Sequence, residues 1–147
     1  MRAVVQRVAW AKVHVDGELV GAIDRGLLVY LGAGKGDTDA DRAWTLKKIL
    51  GLRVFENDLG KLDKSVVDVG GKLLVVSQFT LYGDVSRGNR PSFDGAMPPA
   101  EAEAVYDAFV REARGAIGVE TGRFRADMRV SSENVGPVTI GLDSQRT

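Results

Sequence analysis

The sequence predicts one α+β domain: a strongly curved, mostly antiparallel sheet or barrel that carries two helices. Three observations predict it. Apolar residues alternate along residues 3–15 and lead into the tight-turn pair Asp16-Gly17. Two short continuous apolar runs, Leu27-Leu28-Val29-Tyr30-Leu31 and Lys72-Leu73-Leu74-Val75-Val76, have the length and bounding glycines of buried strands. Two further stretches space their apolar residues at the helical period. With 147 residues, of which 44% are hydrophobic, the chain can bury a core. No repeat, low-complexity tract or linker divides it, so residues 1–147 form a single domain.

Taken in order, residues 3–15 fit either a strand pair or one long bent strand, and residues 18–23 return as the second arm of a hairpin. Asp24-Arg25-Gly26 turns the chain into the buried strand 27–31. Thr38, with Asp41 three residues later, forms a variant of a capping box. It opens a helix over residues 39–51, on which Ala43, Leu46, Ile49 and Leu50 share one face. Strand 72–76 follows Gly70-Gly71. Pro98-Pro99 suits a helix start, Ala102, Val105, Tyr106, Phe109 and Ala113 form the apolar stripe, and Gly115 stops the helix. Strands at 128–131 and 138–142 complete the fold, and a loose tail is expected from Asp143 to Thr147.

Composition sets the outer limits on function. The absence of cysteine removes disulfides and thiol catalysis. No N-terminal stretch joins a basic start to a long apolar run, and no apolar run approaches the roughly 18 residues of a spanning helix. The cytoplasm is the expected compartment, with no membrane partner. A formal net charge of zero argues against a protein that coats nucleic acid by bulk electrostatics, so any RNA contact is local and no DNA partner is expected. The arginines that cluster in sequence are Arg87 and Arg90, then Arg123, Arg125 and Arg129. They fit either a few phosphate contacts around one pocket or ordinary solvated charge.

Two segments carry the chemical signal. Ser77-Gln78-Phe79-Thr80-Leu81 follows the second apolar run and delivers polar groups at a strand end, where pockets are built. Gly136-Pro137-Val138-Thr139 joins a residue without a side chain to one of fixed φ, a stiff turn that a ligand can approach closely. With Arg87-Gly88-Asn89-Arg90-Pro91-Ser92-Phe93, Thr121-Gly122-Arg123-Phe124 and Ala126-Asp127-Met128, these segments resemble the D-aminoacyl-tRNA deacylases, also called D-tyrosyl-tRNA deacylases. The resemblance runs from Gln6-Arg7-Val8 to the final strand.

The resemblance implies hydrolysis of the ester of D-aminoacyl-tRNA, and so chiral proofreading in translation by a homodimer. It implies that the Gly136-Pro137 bond is cis and enters the partner subunit's pocket. There the carbonyls of Gly136 and Pro137 bind the α-amino group and leave no space for an L side chain. Phe124 and Met128 are carried over as pocket lining, although core packing also explains them. Arg87, Arg90 and Arg125 become candidates for tRNA contact. Two positions depart from the family: Arg125 stands where members usually have a small residue, and Val135 where Asp is common. Arg125 therefore either reaches a tRNA phosphate or alters the pocket rim, and Val135 changes how the Gly-Pro turn is braced.

No cofactor and no metal are expected. Without cysteine, a convincing His or a metal cluster, the chain lacks the usual means of activating water. The substrate must then be an easy one or assist its own cleavage, and an aminoacyl ester beside a ribose hydroxyl does both. Positioning and oxyanion stabilisation remain for the protein. The backbone N–H groups near Phe79 and Thr80 are the candidate donors, with Ser77, Gln78 and the Thr80 hydroxyl orienting the ester. Thr80 as a covalent nucleophile is the second mechanism, weakened by the lack of an adjacent base. Steric rejection of L residues cannot exclude glycine, so activity on glycyl-tRNA is expected. The alternative from another class is a noncatalytic RNA- or amino-acid-binding dimer on the same scaffold.

Three other features fit plainer roles. Gly32-Ala33-Gly34-Lys35-Gly36-Asp37-Thr38 lacks the spacing of a phosphate-binding loop and reads as a flexible connection. The only histidine, His14, reads as a half-exposed strand residue. Asp37, Asp39 and Asp41 match the acidic preference of a helix start.

Overall fold

The structure is a computed structural model and describes residues 1–146. Its strands are β1 (Arg2–Val15), β2 (Glu18–Ile23), β3 (Gly26–Gly32), β4 (Phe55–Glu56), β5 (Leu62–Lys64), β6 (Lys72–Ser77), β7 (Val119–Thr121) and β8 (Arg129–Asp143). The helices are α1 (Asp39–Gly51) and α2 (Pro99–Arg114), and a short 3-10 turn spans Phe79–Tyr82.

β1 is one long strand. Along one edge it pairs antiparallel with β2 from Ala11↔Ile23 to Val15↔Glu18, and with β3 from Arg2↔Gly32 to Val8↔Gly26. β2 and β3 thus continue each other around the Asp24-Arg25 corner. The other edge of β1 carries β8 from Arg2↔Asp143 to His14↔Arg129. β6 then adds parallel to β3, and β7 parallel to β6. The sheet is therefore mixed: its three pairings on β1 are antiparallel, and its last two are parallel. It curls until β2 meets β7, where a Cβ placed on Gly21 would lie 2.2 Å from the Thr121 carbonyl oxygen. Only a glycine permits that approach, which brings the six-stranded sheet close to a closed barrel.

The continuous apolar runs are explained by burial on both faces. Leu27, Val29, Leu73 and Val75 pack with Ile49, Phe109, Val110 and Ala113 beneath the two helices. The alternate residues Leu28, Leu74 and Val76 join Val8, Ala11, Val13 and Ile23 on the opposite face. Full burial of one such side chain contributes about 1.5–3 kcal/mol.

α1 begins as expected: the Asp41 carboxylate accepts hydrogen bonds from the Thr38 N–H at 2.8 Å and hydroxyl at 3.1 Å. The buried face differs by one position. Ala43 is exposed and Thr45 is fully buried, its hydroxyl donating to the Asp41 carbonyl at 2.8 Å. A satisfied hydroxyl can take a core position that residue type alone would leave to alanine.

The loose tail does not form as such. β8 continues through Asp143, and the Ser144 N–H donates to the Met1 carbonyl at 2.9 Å. The Ser144 hydroxyl and the Gln145 amide both reach the Asp41 carboxylate, at 2.7 and 2.8 Å. Thr147 lies outside the described residues. Among the described residues, no helix is long and apolar enough to cross a membrane.

Candidate active site

β6 is the strand that carries Ser77 to its end. The next residue, Gln78, donates its N–H to the Leu31 carbonyl at 2.8 Å, which fixes where the chain leaves the sheet. The chain then tightens into the 3-10 turn, with Leu81 N–H donating to the Gln78 carbonyl and Gly83 N–H to that of Thr80. Phe79 and Thr80 hold the first positions of this turn, whose N–H groups have no acceptor within it. Among the described residues neither amide has another backbone acceptor. The Gln78 side-chain amide donates to the Thr80 hydroxyl.

A cavity of about 720 Å³ opens beside this strand end. Ser77, Gln78 and Phe79 line one wall, Pro98, Ala102 and Tyr106 from the start of α2 another, and Phe124, Arg125 and Met128 a third. Phe79 stacks edge-to-face on Phe93, with ring centroids 5.0 Å apart, and it stays 58% exposed at the mouth. Phe124 lies 5.8 Å from the Tyr106 ring. Met128 packs over Gly122, where a Cβ would meet its sulfur at 2.5 Å, so the glycine makes room for the side chain. Tyr106 is a buried titratable group of the cavity. Its hydroxyl donates to the Val75 carbonyl at 2.7 Å, and burial pushes its pKa well above the usual phenol value.

The structure brings together Ser77, Gln78, Phe79, Phe124, Arg125 and Met128 on this cavity. Thr80 sits beside the wall and exposed, outside the lining. Arg87 and Arg90 lie on the exposed loop between Gly83 and Ser92, also away from the lining. Gly136 and Pro137 do not line it either. They do not open the last strand, as the sequence had suggested, but interrupt one continuous β8: Gln6 pairs Thr139, Val8 pairs Asn134, and four residues of β8 stand opposite Arg7 alone. The extra residues form a bulge, as excess residues on one side of a ladder must. The Gly136-Pro137 bond is cis.

Arg7 holds this bulge and was missed as a functional position. It is 9% exposed and donates from Nε to the Val135 carbonyl at 3.1 Å and from Nη1 to the Val54 carbonyl at 2.8 Å. A sequence signal existed, because Arg7 shares the inward register of Ala3 and Val5, where a charge needs a dedicated partner. The bulge is braced at its other end by the Asn134 side-chain oxygen, which accepts from Val138 N–H at 3.3 Å. Val135, at 38% exposure, contributes its carbonyl and leaves its side chain toward solvent.

The remaining candidates settle into structural roles. Asp37 takes the Gly34 N–H at 2.7 Å and the Met1 ammonium at 2.8 Å, so the glycine-rich segment is pinned rather than flexible. Asp39 pairs with Arg42 at 2.8 Å. His14 is half-buried between Leu19 and Arg129, away from the cavity.

A family profile described as D-Tyr-tRNA(Tyr) deacylase matches residues 4–143. The chain is 61% identical to a protein of Sorangium cellulosum named D-aminoacyl-tRNA deacylase, covering 100% of this chain and 99% of that one. It is 56% identical to a protein of the same name from Thermotoga petrophila, over 99% of both. Among solved structures it superimposes with a TM-score of 0.95 on one described as c-Myc DNA Unwinding Element Binding Protein, at 45% identity over 99% of this chain and 100% of that one. A profile match from β1 to the end of β8, with relatives of more than half identity along the whole chain, makes this protein a member of the D-Tyr-tRNA(Tyr) deacylase family.

Proposed function

We propose that this protein hydrolyses the ester joining a D-amino acid to the terminal ribose of tRNA, and does so as a cytoplasmic homodimer. The observation that carries the reading is the strand end at Ser77–Thr80. It places two backbone N–H donors without backbone acceptors beside a cavity in which the buried Tyr106 phenol is committed to a carbonyl. Among the described residues the lining holds no His or Cys to activate water and offers fixed dipoles at the strand end, which suits an activated ester. Water attacks the carbonyl carbon, the Phe79 and Thr80 amides stabilise the oxyanion, and the ribose oxygen leaves with a proton passed through its neighbouring hydroxyl. Ser77, Gln78 and the Thr80 hydroxyl orient the ester.

The dimer is supported by two features. Among the described residues β8 pairs only with β1, so its outer edge is unpaired over a long strand, and the Gly136-Pro137 bulge lies outside the lining of its own cavity. A gate placed in this way can serve a second subunit. Its backbone carbonyls hold the α-amino group and exclude an L side chain, while glycine, with nothing to exclude, is hydrolysed. Arg87 and Arg90, on the exposed loop that follows the strand end, contact the tRNA in this reading.

The test is a time course of D-tyrosyl-tRNA, L-tyrosyl-tRNA and glycyl-tRNA with catalytic amounts of protein. Loss of the D and glycyl esters with survival of the L ester is expected. Stability of all three under multiple-turnover conditions overturns the enzymatic reading in favour of a binding dimer, and survival of glycyl-tRNA alone overturns steric exclusion as the whole gate.

A further inference from the structure

Arg125 is one of two non-glycine residues in the left-handed region, with φ of 64°. For an arginine this conformation is disfavoured, since its side chain has no short polar atom to repay the turn locally. The turn has a visible effect. Residues 124–126 form a turn that the Ala126 N–H closes on the Arg123 carbonyl at 3.2 Å, and residues 124–128 all line the same cavity. The left-handed step at Arg125 belongs to this turn, which keeps a cation in the lining between Phe124 and Met128. Among the described residues no carboxylate lies within ion-pair distance of its guanidinium, although Asp94 and Asp127 line the same cavity. It is an exposed, unengaged cation held at a reaction site.

We infer that Arg125 binds a phosphodiester of the single-stranded 3′ end of the substrate and thereby holds that end at the cavity. This rests on the function proposed above. An aminoacyl ester has no free α-carboxylate, so the fixed anions closest to the reacting carbon are backbone phosphates. A guanidinium fork matches a phosphate in shape and charge.

The experiment compares wild type with Arg125→Ala, Arg125→Lys and Arg125→Gly on two substrates: D-tyrosyl-tRNA, and 2′(3′)-O-D-tyrosyl-adenosine, which has the ester and no phosphate. Arg125→Ala is expected to raise KM for the tRNA about 5- to 10-fold at little change in kcat. It should leave the nucleoside ester unaffected, and Lys should restore part of the loss. The slope of log kcat/KM against log salt should shrink by about 0.7, the value for one phosphate contact on a single strand. Arg125→Gly should match Ala in kinetics with unchanged or higher stability, because the turn is then unstrained. Equal losses on both substrates, or a salt slope that Arg125→Ala leaves unchanged, overturn the inference and make Arg125 a pocket-rim residue. A wild type inactive on both esters overturns the functional reading, and this inference with it.

Discussion

Gly136→Ala tests the gate where the structure gives a magnitude. Gly136 has φ of 123°, outside the region any L residue adopts comfortably, and a Cβ there would lie 2.8 Å from the Arg7 guanidinium and 2.9 Å from a Val138 methyl. The backbone cost of such a conformation is roughly 1–3 kcal/mol. The clash adds to it, because Arg7 cannot simply swing aside. Its Nε and Nη1 bonds to the Val135 and Val54 carbonyls are lost as it moves, at about 1 kcal/mol each. Together the change should cost about 3–5 kcal/mol, which in a domain of this size lowers Tm by roughly 6–20 °C.

The internal control is Gly141→Ala in the same strand. Gly141 has no atom within 4 Å of the added Cβ and no positive φ, so its substitution should leave Tm within about 2 °C. Thermal unfolding of the two variants beside wild type is the assay, followed by D- and L-tyrosyl-tRNA hydrolysis at a temperature where all are folded. A displaced gate is expected to narrow the D-over-L ratio, with the L ester admitted before D-ester turnover falls. Gly136→Ala that melts with Gly141→Ala and keeps full D-over-L selectivity would refute the reasoning, since the bulge would then be free to relax without consequence.

Three further outcomes follow from named contacts. Tyr106→Phe removes the buried bond to the Val75 carbonyl and should destabilise by about 1 kcal/mol in denaturant titration, with kcat largely retained; a large loss of kcat at unchanged stability would give the phenol a chemical role. Thr80→Ala should reduce kcat less than about 100-fold, whereas removal of a nucleophile costs on the order of a million-fold, so single-turnover rates separate substrate assistance from a covalent intermediate. The Asp41 carboxyl is held below its usual range, first by the Thr38 N–H and then by the Ser144 hydroxyl. A lowered folded-state pKa contributes stability above the unfolded value near 3.9 and loses it as pH falls through the folded one. Asp41→Ala should therefore flatten the fall in Tm between about pH 5 and 2, and an unchanged acid limb would show that Asp41 does not contribute to it.

What the sequence disclosed, and what it concealed, follows from the range of the forces involved. The two helices, the opening hairpin and the buried runs are set by periodicity and turns a few residues long, and they stand where those patterns put them. The short strands β4, β5 and β7 are two or three residues each, too brief to carry a period, and exist because neighbouring chain offers partners. The parallel pairing of β6 with β3 and β7 joins segments far apart in sequence and leaves no local trace. At the site, Phe124 and Met128 were readable as pocket lining only through family resemblance, because a half-buried Phe or Met looks the same in a core. Arg7 was readable in principle from its inward register, but its partners, the Val54 and Val135 carbonyls, are backbone atoms that no residue type announces.

The same ladders that hide from sequence determine how the gate can work. The Gly136-Pro137 bulge belongs to β8, the strand end at Ser77 belongs to β6, and between them lie β1 and β3, each joined to its neighbour by a hydrogen-bonded register. Strands in register slip only in whole steps that turn every side chain to the wrong face, so bulge and strand end are fixed relative to each other. A bulge mounted in this way, if it is the gate proposed above, cannot close on its substrate by swinging. If it serves the cavity of a second subunit, two-fold symmetry places both gates at once, and selectivity against L residues must come from the shape of a stationary backbone rather than from induced closure. Mutations that weaken the anchor at Arg7 should then relax chirality before they slow the D ester, because a loosened wall first admits what it had excluded while the donors at Phe79 and Thr80 stay in place.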